Sequence, residues 1–479
     1  MESQNEPGKE NQLEVFDGEL LHPSLDIKDG ILAIGFRYRS TLKEEKEVFI
    51  VVYAGNIQII NAESFTKNEK TYYFEKRSRK LIRIEEKLGI TALNKFLNDY
   101  NGLKIDVSPL KIFEEILALI KKYIELEKEI DYFLVTAWIL GTYFFPIFYA
   151  YPFLHIKAPK GSGKSQFLNL LTQLCFNAVK ARPSLAAFGD TVDALRGTYL
   201  IDQADSLERK GNEELLDILT DSYKKSGGTR RILTFDKKRN RETVEFKTYS
   251  PKVFASIREL PEDLRDRCLI VPLIRSQRNF PDPDDSNDDW REVRGKIYTL
   301  LMTNYGAVVS LYSISKIQYR TTQEIIGRSL ELWLPFEVIL ECAGMQEKIM
   351  EAKARFLSYY KFSEYEPSEL EEEVIKIVSQ QLRDKGEIVL APKEISELMD
   401  AEMFSSSDTS KQKAAKVGRV IKKFNLASEK KPRTKEGVKH LFVRSKAESI
   451  YQNYCKTTEK HTPLTPTDVQ GINSGQITM

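Results

Sequence analysis

Phe153-Leu-His-Ile-Lys-Ala-Pro-Lys-Gly-Ser-Gly-Lys-Ser165 is the stretch from which this chain is read. Residues 153–156 are an apolar run of the length of a short buried strand. Ala158, Pro159, Lys160, Gly161, Ser162 and Gly163 follow as a loop, and Lys164 and Ser165 open a helical pattern that runs to residue 179. Strand, glycine-bearing loop and helix, in that order, make a cradle for phosphate. Gly161 and Gly163 carry no Cβ, so the backbone approaches an anion closely. The loop N–H groups and the helix N-terminus supply a positive concavity. Lys164 has the reach for the β- and γ-phosphates of a nucleotide, and the Ser165 hydroxyl suits Mg²⁺. The first position of the motif is Ala158 rather than glycine.

A chain of 479 residues with 41% hydrophobic content holds several domains with real cores. Its net charge of +2 hides large numbers of both signs, so any basic surface is local. Cys175, Cys268, Cys342 and Cys455 are scattered, with no CxxC pair, which speaks against a zinc ribbon or a disulfide framework. The expected setting is reducing and cytoplasmic, and the polar opening is no signal peptide. Residues 132–154 carry no charge and are long enough to span a bilayer. Gly141, Pro146 and Pro152 interrupt them, and their last residues are needed as the strand that feeds the loop. The expectation is a buried helix followed by a strand, with no membrane partner.

Before this, residues 1–12 are polar, and residues 20–83 read as strands and turns, with apolar runs at 31–38 and 48–53. Tyr72, Tyr73 and Phe74 interleave with Lys76, Arg77, Arg79, Lys80 and Arg83. That mixture suits a nucleic-acid grip or a solvated edge strand, and the edge strand is the simpler reading. Helices are expected at 91–101 and 109–130, the second from its stripe of Ile112, Phe113, Ile116, Leu117 and Ile120.

Past the loop, Tyr199-Leu-Ile-Asp202 is an apolar strand ending in a carboxylate, expected beside the strand of residues 153–156 and placed to order Mg²⁺ and its waters. A helix at 213–225 and a break at Ser226-Gly-Gly228 follow. Strands at 230–235 and 243–249 then flank a tip bearing Lys237, Lys238, Arg239 and Arg241. An apolar strand at 252–257 contains Ser256, and Leu260-Pro-Glu-Asp-Leu-Arg-Asp-Arg-Cys268 leads to a further strand at 269–274.

This order of phosphate loop, Leu-Ile-Asp-Gln-Ala-Asp, helix, basic hairpin, apolar strand and Leu-Arg-Asp-Arg resembles the AAA+ ATPases. Among them it is similar to the MCM-like and superfamily-III-like replication ATPases of plasmids, viruses and integrated elements. The resemblance spans roughly residues 130–345. It implies ATP and Mg²⁺ as cofactors, with Asp202 as the Walker B carboxylate. It implies that the basic hairpin contacts DNA in the channel of a homo-oligomeric ring, a hexamer by preference. Ser256 stands at the sensor 1 position and Arg267 at the arginine finger, with Arg265 as runner-up. Arg328, at the start of a helix in the expected lid, stands for sensor 2. The family usually has a glutamate after the Walker B aspartate. Here it is Gln203, whose amide cannot serve as a base, and Asp205 is the nearest other carboxylate.

Residues 290–360 are helical in pattern, and Tyr365-Glu-Pro-Ser reads as a linker. Beyond it come an amphipathic helix at 370–382, a strand at 388–390, a helix at 392–399 and a helix at 409–424 that bears Lys411, Lys413, Lys416, Arg419, Lys422 and Lys423. Strands at 426–431 and 438–444 enclose a turn with Lys431, Arg433 and Lys435. Helices followed by a basic hairpin read as a winged helix, its recognition helix and wing both suited to DNA. The tail from 457 to 479 is polar.

The expected architecture is therefore an α/β AAA+ core. Its parts are a β-rich domain (1–108), a helical lead-in (109–152), the core (153–275), a helical lid (276–364), a winged helix (365–456) and a tail. The function implied is a DNA-associated ATPase, a ring helicase or translocase in replication of a mobile element. An ATP-gated DNA-binding switch with little hydrolysis is the alternative, favoured by Gln203. A protein-threading ATPase is disfavoured by the cationic hairpin tip. A primase fusion is disfavoured because residues 1–110 hold no carboxylate pattern assignable to a polymerase site.

Overall fold

A computed structural model describes residues 18–39, 44–75, 81, 107–182, 184–208, 211–235, 241–273, 275–283, 289–322, 324–361, 368–400, 403–405, 407–434 and 437–454. The chain forms two compact units, Met1–Ser363 and Glu364–Met479.

The first unit begins with two small sheets. Strands β2 (Leu25–Lys28), β3 (Ile31–Arg39), β4 (Glu45–Tyr53) and β5 (Asn56–Ile60) form an antiparallel sheet in that order. Strands β1 (Glu19–Leu21), β7 (Lys70–Phe74) and β6 (Ser64–Lys67) form a second. Side chains alternate across a strand, and the apolar runs of β3 and β4 use both faces. Ile31, Ala33, Phe49 and Val51 pack with Leu21, Tyr72 and Phe74 between the two sheets. Leu32, Ile34, Phe36, Val48, Ile50 and Val52 turn the other way and join the main core of the unit.

Through that second face the β-rich region packs into the core of the first unit. The β-rich region was expected as a domain of its own. Its inner face is instead covered by helices from far along the chain, with Phe36 edge-on to Tyr298 at 5.5 Å. Polar contacts reinforce the joint. The Ser24 hydroxyl donates to Leu195 O (2.7 Å), Arg196 pairs with Asp26 (3.2 Å) and the Tyr305 hydroxyl donates to Gly30 O (2.8 Å). The helix expected at 91–101, the basic run at 76–80 and Arg83 lie outside the described residues.

Helix α1 (Pro109–Tyr123) starts at a Ser108 cap and buries Ile112, Phe113, Ile116 and Ile120, but it ends at Tyr123 rather than running on to 130, because Ile124 leaves the helix in an extended conformation. Helix α2 (Glu129–Phe144) is buried from Ile130 to Phe144 and is followed, after a short 3₁₀ turn, by strand β8 (Phe153–Lys157). The uncharged run is thus a core helix and a strand, as its Gly and Pro interruptions indicated. Glu129–Ile147 and Trp290–Thr322 do have the length and hydropathy of membrane spans, but 89% of the first is buried inside the protein. Tyr151 fills the groove beside Gly141, where a Cβ would stand 2.3 Å from the Tyr151 hydroxyl. A buried ion pair closes the bundle: Arg355 donates to both carboxylate oxygens of Asp131 at 2.8 and 2.9 Å.

The central sheet contains β8, β9 (Val179–Lys180), β10 (Tyr199–Ile201), β13 (Lys252–Ser256) and β14 (Cys268–Pro272), all parallel, in the order β14-β8-β13-β10-β9. Strand β10 does not pair with β8, contrary to the expectation from sequence, because β13 is inserted between them. Both strands still end at the same edge, since all five run the same way. Helices α3 (Lys164–Leu174), α4 (Leu185–Leu195) and α5 (Glu213–Asp221) connect these strands. Strands β11 (Thr229–Phe235) and β12 (Arg241–Lys247) form an antiparallel ribbon before β13, and the one-turn helix α6 (Glu262–Arg265) precedes β14. Three helices complete the unit: α7 (Trp290–Thr322), α8 (Gly327–Cys342) and α9 (Gln346–Lys361).

The second unit has the element order α10 (Glu369–Gln381), β15 (Glu387–Leu390), α11 (Pro392–Leu398), α12 (Ser410–Lys423), β16 (Glu429–Thr434), β17 (Gly437–Val443) and α13 (Arg444–Tyr454). Its sheet runs β15-β17-β16. Reciprocal caps at Ser368/Glu371 and Thr409/Gln412 start α10 and α12 where the sequence places them. The tail from 457 lies outside the described residues.

Candidate functional site

The loop between β8 and α3 sits at the carboxyl edge of the parallel sheet. Ala158 is buried, and its N–H donates to Ser256 O at 3.1 Å, which fixes the loop to β13. Gly161 and Gly163 have φ of 81° and 84°, with nothing within 4 Å of a Cβ added at either. They are needed for their left-handed backbone rather than for space. Gly163 is also the residue that caps α3. The Lys164 ammonium donates to Ala158 O (2.6 Å) and Pro159 O (3.2 Å), so the loop wraps its own lysine. Ser162 donates to Pro159 O at 3.0 Å, while Pro159, Lys160 and Ser165 are exposed. Eight residues thus build a concave cationic turn whose lysine is held by carbonyls that a polyphosphate can replace as partner.

Asp202 follows β10, and its Oδ1 accepts the Gln203 N–H at 2.9 Å. Gln203 has a φ of 56°, uncommon for a residue with a side chain. Its side-chain oxygen accepts from the Arg182 guanidinium at 3.3 Å. Arg182 is exposed at the end of β9, and nothing in the sequence singled it out. Asp205, the alternative carboxylate, is already engaged. It accepts the backbone N–H of Arg258 (2.8 Å) and that of Ile257 (3.1 and 3.2 Å). Burial disfavours its charge, but those two N–H groups and then the positive Lys164 outweigh it and hold its carboxyl below the usual range. Asp205 is a strap between the β10 turn and the end of β13. A second carboxylate, Glu259, pairs with Lys157 at the end of β8.

Ser256, read at the sensor 1 position, is the last residue of β13. Its side chain is fully buried. The hydroxyl donates to Arg258 O at 2.6 Å and lies 2.7 Å from His155 Nε2. With its one proton spent on Arg258 O, the hydroxyl accepts from His155, so the imidazole carries its proton on Nε2. Nδ1 then has no partner among the described residues. Burial lowers the His155 pKa to about 4, which keeps the ring neutral. This is a clasp between β8 and β13.

Arg267, read as the arginine finger, lies between α6 and β14. It is buried, donates to Asp263 O of its own chain and lies 5.1 Å over the Tyr223 ring. Burial, and next the charge of nearby Arg328, push its guanidinium below the ordinary value. The internal partner is the Asp263 carbonyl rather than a carboxylate. Arg265, the runner-up, is half-exposed. Arg328 pairs with Asp266 at 3.6 Å and is partly exposed.

The ribbon was correctly read as two strands, and β11 pairs with β12 from Thr229↔Lys247 to Phe235↔Arg241. Its inner side rests on α4: Arg230 donates to Leu185 O, and Lys247 N–H donates to Asp193 Oδ1 at 3.0 Å. Arg231, Leu233 and Arg241 are exposed. Lys237, Lys238 and Arg239 lie outside the described residues.

In the second unit, Val417, Val420 and Ile421 are the buried side of α12. At about 100° per residue, Lys411, Arg419 and Lys422 share the opposite side within about 80° of arc. The other cations are diverted. Lys416 pairs with Asp408, Lys423 pairs with Glu371 at 2.9 Å, and Lys413 lies 5.1 Å over the Phe404 ring. Backbone pairing puts Lys431 and Arg433 in β16, while Lys435 lies outside the described residues.

No protein-family profile matches the chain, and no curated protein matches it. Among solved structures it is similar to the C-terminal region of NrS-1 in an apo form. That match has 12% identity and a TM-score of 0.32, over 83% of this chain and 94% of that one. It is also similar to JCV helicase bound to a thiazolopyridine acetamide, at 16% identity and a TM-score of 0.19, over 56% of this chain and 72% of that one.

Proposed function

We propose that this chain is a P-loop ATPase of the AAA+ type that acts on DNA, as a ring-forming helicase or translocase in the replication of a mobile element. The observation that carries the reading is the loop at 158–165. Its lysine curls onto the loop's own carbonyls at the edge of a five-stranded parallel sheet, and Asp202 ends a strand at the same edge. The donor set fits MgATP. Loop N–H groups and Lys164 would hold the β- and γ-phosphates, and Ser165 and Asp202 would hold Mg²⁺ and its waters. Bound Mg²⁺ neutralises charge on the phosphates during transfer.

The other roles are reassigned on the geometry. Arg265, rather than Arg267, is the finger offered to a neighbouring subunit in a hexamer. Arg182 beside Gln203 supplies positive charge at the sheet edge. Helices α7 to α9 serve as the lid, with Arg328 at its start. Arg241 and the hairpin tip contact a nucleic-acid strand. The second unit is a winged helix, with Lys411, Arg419 and Lys422 facing DNA and Lys431, Arg433 and Lys435 on the wing.

The competing reading is an ATP-gated DNA-binding switch. Two observations favour it: Gln203 offers no base, and Asp205 is tied up by two backbone N–H groups. Steady-state ATP hydrolysis, with and without single- and double-stranded DNA, separates the two, with Lys164→Ala as the blank. DNA-stimulated turnover that Lys164→Ala abolishes supports the motor. ATP binding without turnover under both conditions overturns it in favour of the switch.

A further inference from the structure

The loop accounts for the phosphates of a nucleotide and leaves its base without a site. Gln166 stands two residues past Lys164, in the first turn of α3. Its amide donates one N–H to Tyr123 O at the end of α1 (3.1 Å) and one to Pro281 O in the stretch after β14 (2.7 Å). One side chain therefore holds two distant backbone segments at the mouth of the loop. The stretch that contains Pro281 is tied down again at Ser276. That hydroxyl donates to Glu125 and accepts the Arg278 N–H at 2.9 Å. On this fixed turn the Arg278 guanidinium lies 4.7 Å over the Phe280 ring, with the arginine exposed and the phenylalanine half-buried.

A planar cation stacked on an aromatic ring is a surface on which nucleobases stack, with area and polarisability favouring purines. We propose that Arg278 and Phe280 form the platform for the base of a purine nucleoside triphosphate, and that Gln166 positions that platform against the phosphate loop. This rests on the phosphate-loop reading above. It adds a base subsite built by a turn outside the motif. Gln166 is a positioning residue here, and Arg278 and Phe280 touch the ligand.

The test is calorimetric titration of the full chain with MgATP and, separately, with magnesium tripolyphosphate, which has the phosphates and no base. Phe280→Ala is expected to weaken ATP binding roughly tenfold or more and to leave tripolyphosphate binding unchanged, while Phe280→Tyr keeps both. Gln166→Leu is expected to follow Phe280→Ala. Lys164→Ala loses both ligands. ATP binding by Phe280→Ala that equals the wild type overturns the platform, as does a parallel loss of both ligands in Phe280→Ala and Phe280→Tyr. Lys164→Ala that still binds both ligands overturns the phosphate-loop reading itself, and the platform with it.

Discussion

Ser256→Ala separates a buried clasp from a phosphate sensor. The substitution deletes the hydroxyl that donates to Arg258 O and accepts from His155. Each bond contributes about 0.5–1.5 kcal/mol net. The His155 N–H left behind is buried, and an unsatisfied buried donor costs about 1–3 kcal/mol. The sum is about 2–6 kcal/mol, a large share of a total stability of about 5–15 kcal/mol. Loss of the clasp also loosens the end of β13, to which Ala158 is bonded. Urea unfolding of the full chain measures the stability, and ATP turnover per folded molecule at low temperature measures the chemistry. The expected result is a lower unfolding midpoint with turnover within a few-fold of wild type. A loss of turnover of two orders of magnitude at unchanged stability would refute the burial argument and restore Ser256 as the sensor.

Acid reports on the same clasp. His155 sits at about 4 in the folded chain against about 6.5 unfolded, so between those values the unfolded chain binds the extra proton. Stability is then full above about pH 6.5 and falls as the pH drops toward 4, by up to about 3 kcal/mol. Urea midpoints at pH 7 and 5 are expected to differ in the wild type and to converge in His155→Asn. For the arginines, Arg267→Ala is expected to lower the unfolding midpoint, because it empties the site over Tyr223. Arg265→Ala is expected to leave the midpoint alone and lower turnover, and the opposite outcome returns the finger to Arg267. On α12, changing Lys411, Arg419 and Lys422 together to Gln is expected to reduce the slope of log binding constant against log salt by about 2–3. The paired Lys416 and Lys423 are expected to change it by less than about 1 in total, read by fluorescence anisotropy with duplex DNA.

What the sequence made legible divides along a physical line. The loop at 158–165 is a local object, because its shape lies in the backbone angles of Gly161 and Gly163 and in the reach of one lysine, all within eight consecutive residues. The apolar runs of β3 and β4 are equally local. Ser256, Asp205 and Arg267 lie in the elements expected of them, but their partners come from elsewhere in the chain. Ser256 is committed by His155, a hundred residues earlier. Asp205 is committed by backbone N–H groups at 257 and 258. Arg267 is committed by Tyr223 and by a carbonyl one turn back. The same reasoning explains the boundary at 108. Composition marks a β-rich stretch, but only the second apolar face of β3 and β4 says that the stretch is one wall of a larger core. Charge runs fail in a related way. Six cations on α12 read as one basic surface until Asp408, Glu371 and Phe404 are brought against three of them. The remaining three are the ones set opposite the buried side, so geometry turns a count of charges into a surface with a direction.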